Sequence, residues 1–500
     1  MFERQPRERF NVQPRQPSHR ALAGPAPYAA HSVKGASVGS TAPVRTPNGR
    51  PQGVRPVLVL LHRYVGLVLA LFLLISGLTG AVLVWYDELD ATVNASMMKI
   101  TPPATGLKPL DPLVLRERVT AAFPQAWVDS VRLKAAPSRS QMFGLSPALG
   151  PGGQPTPALA HDEVYVHPYT GEILGMRKWG DLGQGPTNLL PFLYRLHFSL
   201  ALGTIGTWAF GIVAVLWVLD CFVGAWLTFP ASARPRKSLP RFEAAPRPQW
   251  LARWWRTAWQ VRWGGGAFKL NHDLHRAGGL WPWALLLVVA WSSVAFNLYK
   301  EVYRPVMSTV LPFQADVRGR LPKVDVPTAD PALGWAGAQA SARQHLDALA
   351  QAKGFTIVED SYLRHLPQFG ALRFGVRTDR DLGHSSHGQT WVIVDARTGA
   401  LLGSHIPTGE TSGDTLTRWL MTLHMGHLWG LPYRVLLTAV GLGVAMLSVT
   451  GVWIWWKKRQ ARCLAAARQP QRAAAPTPGI RPNTPPRWAP PFFFRKKAST

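Results

Sequence analysis

The stretch VLVLLHRYVGLVLALFLLISGLTGAVLVWY, residues 57–86, decides the fold. About 20 consecutive apolar residues let a helix cross a bilayer, and this run is longer. Its only charged or imidazole side chains are His62 and Arg63, near its start. It exceeds the core of a cleaved signal peptide, roughly 7–15 residues, and 56 residues precede it.

Three further apolar segments follow, at 201–229, 271–299 and 431–456. Trp, Tyr and Lys/Arg bound them, as suits membrane interfaces. The expected fold class is an α-helical membrane protein: a four-span bundle made of two duplicated halves, each with a small α+β outer domain.

The chain has 500 residues and a formal net charge of +28, with 47% hydrophobic residues. A disordered chain is far less apolar. A soluble globule usually carries more than 16% charged residues. The charge also argues about topology. Residues 1–56 hold 9 Lys+Arg against 2 Asp+Glu, residues 231–270 hold 9 against 1, and residues 457–500 hold 11 against 0. Those three segments carry 26 of the +28. Residues 86–200 and 300–430 hold 10 against 10 and 13 against 12. The alternation predicts that both termini and the loop 230–270 are cytoplasmic. The tails 1–56 and 457–500 read as disordered and basic. The connections 87–200, ending in a pre-span helix, and 300–430 then face outward. With the charge so placed, no nucleic-acid partner is expected. The partner that remains is membrane lipid.

The two halves repeat. Leu61-His62-Arg63 with Gly66-Leu67 matches Leu274-His275-Arg276 with Gly279-Leu280, at an offset of 213. Leu196-His197 matches Leu423-His424, and Gly224-Ala225-Trp226 matches Gly451-Val452-Trp453, both at 227. Residues 164–175 and 392–403 align likewise. Ordered matches at nearly one offset indicate duplication. In the outer segments, helices are expected at 111–123 and 332–352, and hairpin turns at Thr170-Gly171 and Thr398-Gly399. His384-Ser-Ser-His387 reads as a solvated loop, because a metal site needs further ligands. Cys221 and Cys463 are far apart, and no C-x-x-C-H motif for covalent haem occurs.

The histidines carry the chemistry. His62 and His275 fall near the cytoplasmic ends of their spans. His197 and His424 precede spans two and four on the outer side. Polar groups at membrane depth are costly and point to function. Two neutral imidazoles from facing helices suit the axial ligation of haem iron. Two pairs would hold two b-type haems, one per face, with Arg63 and Arg276 near their propionates. His272 and His427 each stand three residues from a paired histidine and are alternate ligands. Asp220 is expected to pair with an inner arginine, to carry protons, or to be a plain hydrogen-bonded residue near the interface.

These residues resemble the PepSY-associated transmembrane helix family, over about 57–460. The resemblance rests on Leu-His-Arg-x-x-Gly in spans one and three, Leu-His before spans two and four, the Gly-x-Trp ends and two PepSY-like outer domains. It implies a haem-containing inner-membrane protein of bacteria that reduces periplasmic ferric siderophores or other iron complexes during iron uptake. No G-x-G-x-x-G opens a βα unit in the cytoplasmic segments. Electrons are therefore expected from a separate donor, a quinol or a partner flavoprotein. The alternative function is a non-redox PepSY membrane protein that binds or inhibits a periplasmic peptidase, or assists transport.

Overall fold

The structure is a computed structural model. It describes residues 53–103, 106–134, 136–150, 152–154, 156–230, 247–383 and 387–473. The expected disordered tail 1–56, all but its last few residues, most of the loop's basic run before residue 247, and His384 lie outside them.

The first apolar run forms α1 (Val54–Leu83), about 45 Å long at 1.5 Å per residue. Short helices α2 (Tyr86–Val93) and α3 (Ala95–Met98) carry the chain on to the segment expected to face outward. Helix α4 (Pro112–Ala122) starts at Asp111, whose carboxylate accepts from the Leu113 N–H, with Pro112 in the first turn. Strands β1 (Ala126–Val128), β2 (Ser130–Arg132), β3 (Gln141–Pro147), β4 (Glu163–Val166) and β5 (Ile173–Arg177) follow. Then come α5 (Leu189–Ser199) and the long apolar α6 (Gly203–Thr228). After α7 (Arg247–Ala258), α8 (Ala267–Leu280) and α9 (Trp283–Asn297) form the third apolar segment. Two single turns, α10 (Arg304–Met307) and α11 (Val317–Arg320), precede α12 (Gly334–Lys353). Strands β6 (Ile357–Leu366), β7 (Ala371–Thr378), β8 (Thr390–Asp395) and β9 (Leu401–His405) lead to α13 (Ser412–His424) and α14 (Gly430–Ala473).

Helices α1, α6 and α14 are each long and apolar enough to cross a membrane. The third segment differs from the expected continuous span 271–299. It is bent by 67° between α8 and α9. Pro282 sits at the break; it has no N–H to donate and its ring clashes with the preceding turn. The 15 residues of α9 rise only about 22 Å, short of a bilayer core of about 30 Å. The pair therefore counts as one broken span or a re-entrant segment. Two basic stretches are also more ordered than their composition suggests. Helix α7 occupies part of the loop 230–270, and α14 runs unbroken past Trp456 through Lys457, Lys458 and Arg459.

Small residues bring α1 and α14 together: a Cβ on Gly77 would stand 2.7 Å from the Gly441 carbonyl oxygen. The outer expectations at 111–123 and 332–352 correspond to α4 and α12. Gly171 and Gly399 take positive φ (78° and 76°) in the turns between β4 and β5 and between β8 and β9, a conformation open to glycine.

The outer segments do not fold apart. Strands β1-β3-β4-β5 form one antiparallel sheet, but β2 leaves it and pairs with β6 of the second segment, in the order β2-β6-β7-β8-β9. One core joins Leu115, Val119 and Phe143 of the first segment to Leu346, Leu363 and Phe374 of the second. The first segment is fastened to the region below by a buried ion network. Arg177 on β5 donates to both Asp90 oxygens at 3.0 Å and to Glu163 at 2.7 Å, and Asn94 donates to Asp90.

His365 on β6 is only 1% exposed, between Trp127 and Trp335, with Nδ1 on the Ala329 carbonyl. Burial lowers its pKa to about 4, so it stays neutral in the fold. The unfolded chain takes up its proton as pH falls below about 6.5 and the folded chain only near 4, so stability falls across that window. We expect thermal stability to drop from pH 6.5 to pH 4, with a shallower slope in His365→Phe, measured by calorimetry in detergent.

Candidate functional site: two imidazole pairs in the helical bundle

His62, His275, His197 and His424 meet in two pairs, each from two different helices. His62 of α1 faces His275 of α8, with ring centroids 6.2 Å apart. His197 of α5 faces His424 of α13 at 6.3 Å. Helix α5 packs on α1 and α6, and α13 packs on α9, which sets the outer pair against the bundle. The chain reaches α6 from α5 through Leu200 and Ala201, both with positive φ (51° and 57°). It reaches α14 from α13 through Trp429 (φ 51°). These strained corners let a short helix carrying a histidine fold back beside a long one.

Every Nδ1 is held. His62 Nδ1 donates to Asp220 Oδ1 at 2.9 Å. His275 Nδ1 lies 3.1 Å from the Leu447 carbonyl and 3.0 Å from Thr450 Oγ1. His197 Nδ1 lies 3.0 Å from Thr79 Oγ1, and His424 Nδ1 lies 2.7 Å from Ser292 Oγ. Each hydroxyl has one proton, and each spends it on its own helix: Thr79 on the Ile75 carbonyl, Ser292 on Val289, Thr450 on Met446. The hydroxyls therefore accept from the imidazoles, as the carboxylate and carbonyl must. All four rings are fixed with the proton on Nδ1 and the lone pair on Nε2. That is the tautomer a metal-ligating imidazole needs, with a partner holding its other nitrogen.

The spacing fits one metal ion between each pair. With a ring nitrogen about 2 Å from the metal and roughly 1 Å from its ring centre, two coaxial imidazoles have centroids about 6 Å apart. Glycines give the rings room. A Cβ would stand 2.9 Å from His197 Cε1 at Gly80, 3.0 Å from His275 Cε1 at Gly451, and 3.4 Å from His62 Cε1 at Gly224. Around the inner pair lies a cavity of about 410 Å³, with Gly66, Ala70, Gly279 and Gly451 among its lining. This falls in the range of cofactor pockets. Arg55, Arg63, Arg276 and Lys458 also line it, so its rim is cationic. Among the described residues, no group of three or more His, Cys, Asp or Glu could hold a metal ion by itself. Two imidazoles per pair match the ligand number of a cofactor that supplies its own equatorial ligands, as haem does.

Several expected residues have other placements. Asp220 takes His62 rather than an inner arginine. Arg276 donates to the wholly buried Asp273 at 2.9 Å, and Arg262 donates to the same carboxylate at 2.7 Å. Arg276 thus reaches the cavity already paired, while Arg63 lines it as well. His272 lines the inner cavity beside the His62–His275 pair, with Nδ1 3.9 Å from Asp273. His427 lies past the end of α13, where its carbonyl backs onto Gly383. The sequence reading missed Thr79 and Ser292. They stand 213 residues apart, the offset that relates His62 to His275, so the repeat already pointed to them.

Removing a hydroxyl strands a buried imidazole N–H, which costs about 1–3 kcal/mol. We expect Ser292→Ala to lower unfolding stability by about that amount. Adding His424→Leu should then cost less than it does in the Ser292-containing chain, in a double-mutant cycle followed by thermal unfolding.

The family described as PepSY-associated TM region matches residues 59–458. Comparison with curated proteins returns no match.

Proposed function

The chain belongs to the PepSY-associated TM family and is a membrane protein of that type, and on that premise we propose that it is a haem-containing reductase of a bacterial inner membrane. In this reading it consists of two duplicated halves with four spans and both termini in the cytoplasm. It passes electrons outward to a periplasmic ferric siderophore or other iron complex, in support of iron uptake. The observation that carries the reading is the pair of facing imidazole sets, 6.2 and 6.3 Å across, each ring with a hydrogen-bond partner at Nδ1.

His62 and His275 hold one haem b near the cytoplasmic face, and His197 and His424 hold a second near the outer face. Bound haem supplies reversible one-electron exchange between Fe(III) and Fe(II) at two depths of the membrane. The protein's part is orientation and exclusion of water. The Nδ1 acceptors stop the rings from rotating and keep each Nε2 free of a proton. The glycines beside His62, His275 and His197 admit flat contact. Arg63 lines the inner cavity and would be the residue there to pair with a propionate of a bound haem. The donor is a quinol or a flavoprotein, since the chain shows no nucleotide-binding turn of its own.

The inner and outer sets are not equivalent. His62 alone donates to a carboxylate, which raises the basicity of the ring and favours the more oxidised metal. The outer rings donate to neutral hydroxyls.

Purified in detergent with adequate haem supply, the protein should contain two haems per chain by pyridine haemochrome assay. Its dithionite-reduced spectrum should be that of low-spin b-type haem. His62→Ala or His275→Ala should remove one haem, and His197→Ala or His424→Ala the other. A folded, colourless preparation would overturn the proposal. In a potentiometric titration, Asp220→Asn should raise one midpoint potential and leave the second in place.

A further inference from the structure

Helix α7 docks at the ends of two apolar segments. Trp254 stacks on Phe229, just past α6, with centroids 4.9 Å apart and planes at 24°, and its N–H donates to Thr228 Oγ1 at 3.2 Å. At the α8–α9 break the Trp281 N–H donates to the Trp259 carbonyl at 2.9 Å. Arg276 of α8 donates to the Ala258 carbonyl, the last of α7, at 3.3 Å. At about 3.6 residues per turn, Leu251, Trp254, Trp255 and Ala258 share one side of α7, and Arg253, Arg256 and Thr257 share the other.

Docking uses only part of the apolar side. Ala258 is buried and Trp254 half-buried, but Leu251 stays 54% exposed. Trp255 stacks one face on Trp259, 5.1 Å away, and still stays 57% exposed. Just beyond the helix Trp263 is 74% exposed, and Phe268 at the start of α8 is exposed as well. An apolar group of this size on the surface marks a protein or membrane contact. The charge is equally one-sided. Residues 247–280 hold six Lys and Arg and one carboxylate, Asp273, which Arg262 and Arg276 already share. Arg253 and Arg256 are exposed and, among the described residues, form no ion pair.

We infer that α7 is an in-plane anchor for a bilayer surface of anionic phospholipid: Leu251 and Trp255 enter the boundary between headgroups and acyl chains, and Arg253 and Arg256 take headgroup phosphate oxygens. A helix with arginine on one side and Trp and Leu on the other suits that boundary. An indole there keeps its apolar body in the acyl layer, and a guanidinium fork matches phosphate. An acidic protein surface would satisfy the two arginines but not Leu251 and Trp255 on the opposite side. Because Arg276 lines the inner cavity and holds the end of α7, the anchored helix also steadies the cationic rim of that cavity. The anchor requires no haem.

The full chain is placed in nanodiscs of phosphatidylcholine, or of an equal mixture with phosphatidylglycerol, and amide hydrogen exchange is followed by mass spectrometry. Exchange over residues 251–260 should slow at least about fivefold in the anionic nanodiscs, and high salt should reverse the slowing. Arg253→Gln with Arg256→Gln should abolish the difference between the two membranes. In phosphatidylcholine alone that variant should exchange like the unsubstituted chain, which shows that α7 still folds. Arg253→Lys with Arg256→Lys should keep most of the slowing. Leu251→Ser with Trp255→Ser should speed exchange in both membranes. Equal exchange of the unsubstituted chain in the two membranes, or an anionic preference that survives the glutamine pair, would overturn the anchor.

Discussion

An imidazole inside a helical bundle cannot leave its nitrogens unpaired, because hydrocarbon and packed side chains give no water to replace the lost bonds. That constraint organises the bundle. It places Asp220 on α6 opposite His62, Thr79 on α1 opposite His197, and Ser292 on α9 opposite His424. Each acceptor belongs to a different helix from the ring it holds, so the hydrogen bonds also fix which helices touch. The short helices α5 and α13 are docked by the same bonds, through the strained corners at Leu200, Ala201 and Trp429. With each Nδ1 spent, Nε2 is the ring nitrogen left to give to a ligand.

Much of this was legible in the sequence. Length and apolarity found α1, α6 and α14, and the offsets of 213 and 227 picked out the four histidines that come together. Asp-Pro starts and Thr-Gly pairs point to α4, α12 and the two glycine turns. What escaped was the partnering. A threonine or serine in an apolar run looks like an ordinary small polar residue, and only the partner across the bundle gives it meaning. The break at Pro282 was readable, since a proline inside a helical pattern ends or kinks it. The apolar run continues on both sides of it, so hydropathy alone reads one span. Order in the basic stretches was also hidden: Lys and Arg are good helix formers, and α14 needs no apolar neighbour to continue through Lys457 and Arg459.

The outer region was the least legible part. Repeated sequence suggests two equal domains, yet β2 pairs with β6 rather than with a neighbour in its own segment. A three-residue strand has little preference of its own, so its partner is decided by the core. Val131 on β2 is wholly buried beside Leu363, its register partner on β6. Nothing local in Ser130-Val131-Arg132 records that.

That exchanged strand makes the outer region indivisible in practice. Cutting residues 300–430 away for expression as a soluble fragment would strip β6 of β2, its partner over Tyr362, Leu363 and Arg364, and open that edge. Such edges recruit other chains and drive fibrillar association. The first segment thus covers an edge of the second that would otherwise be open to self-pairing.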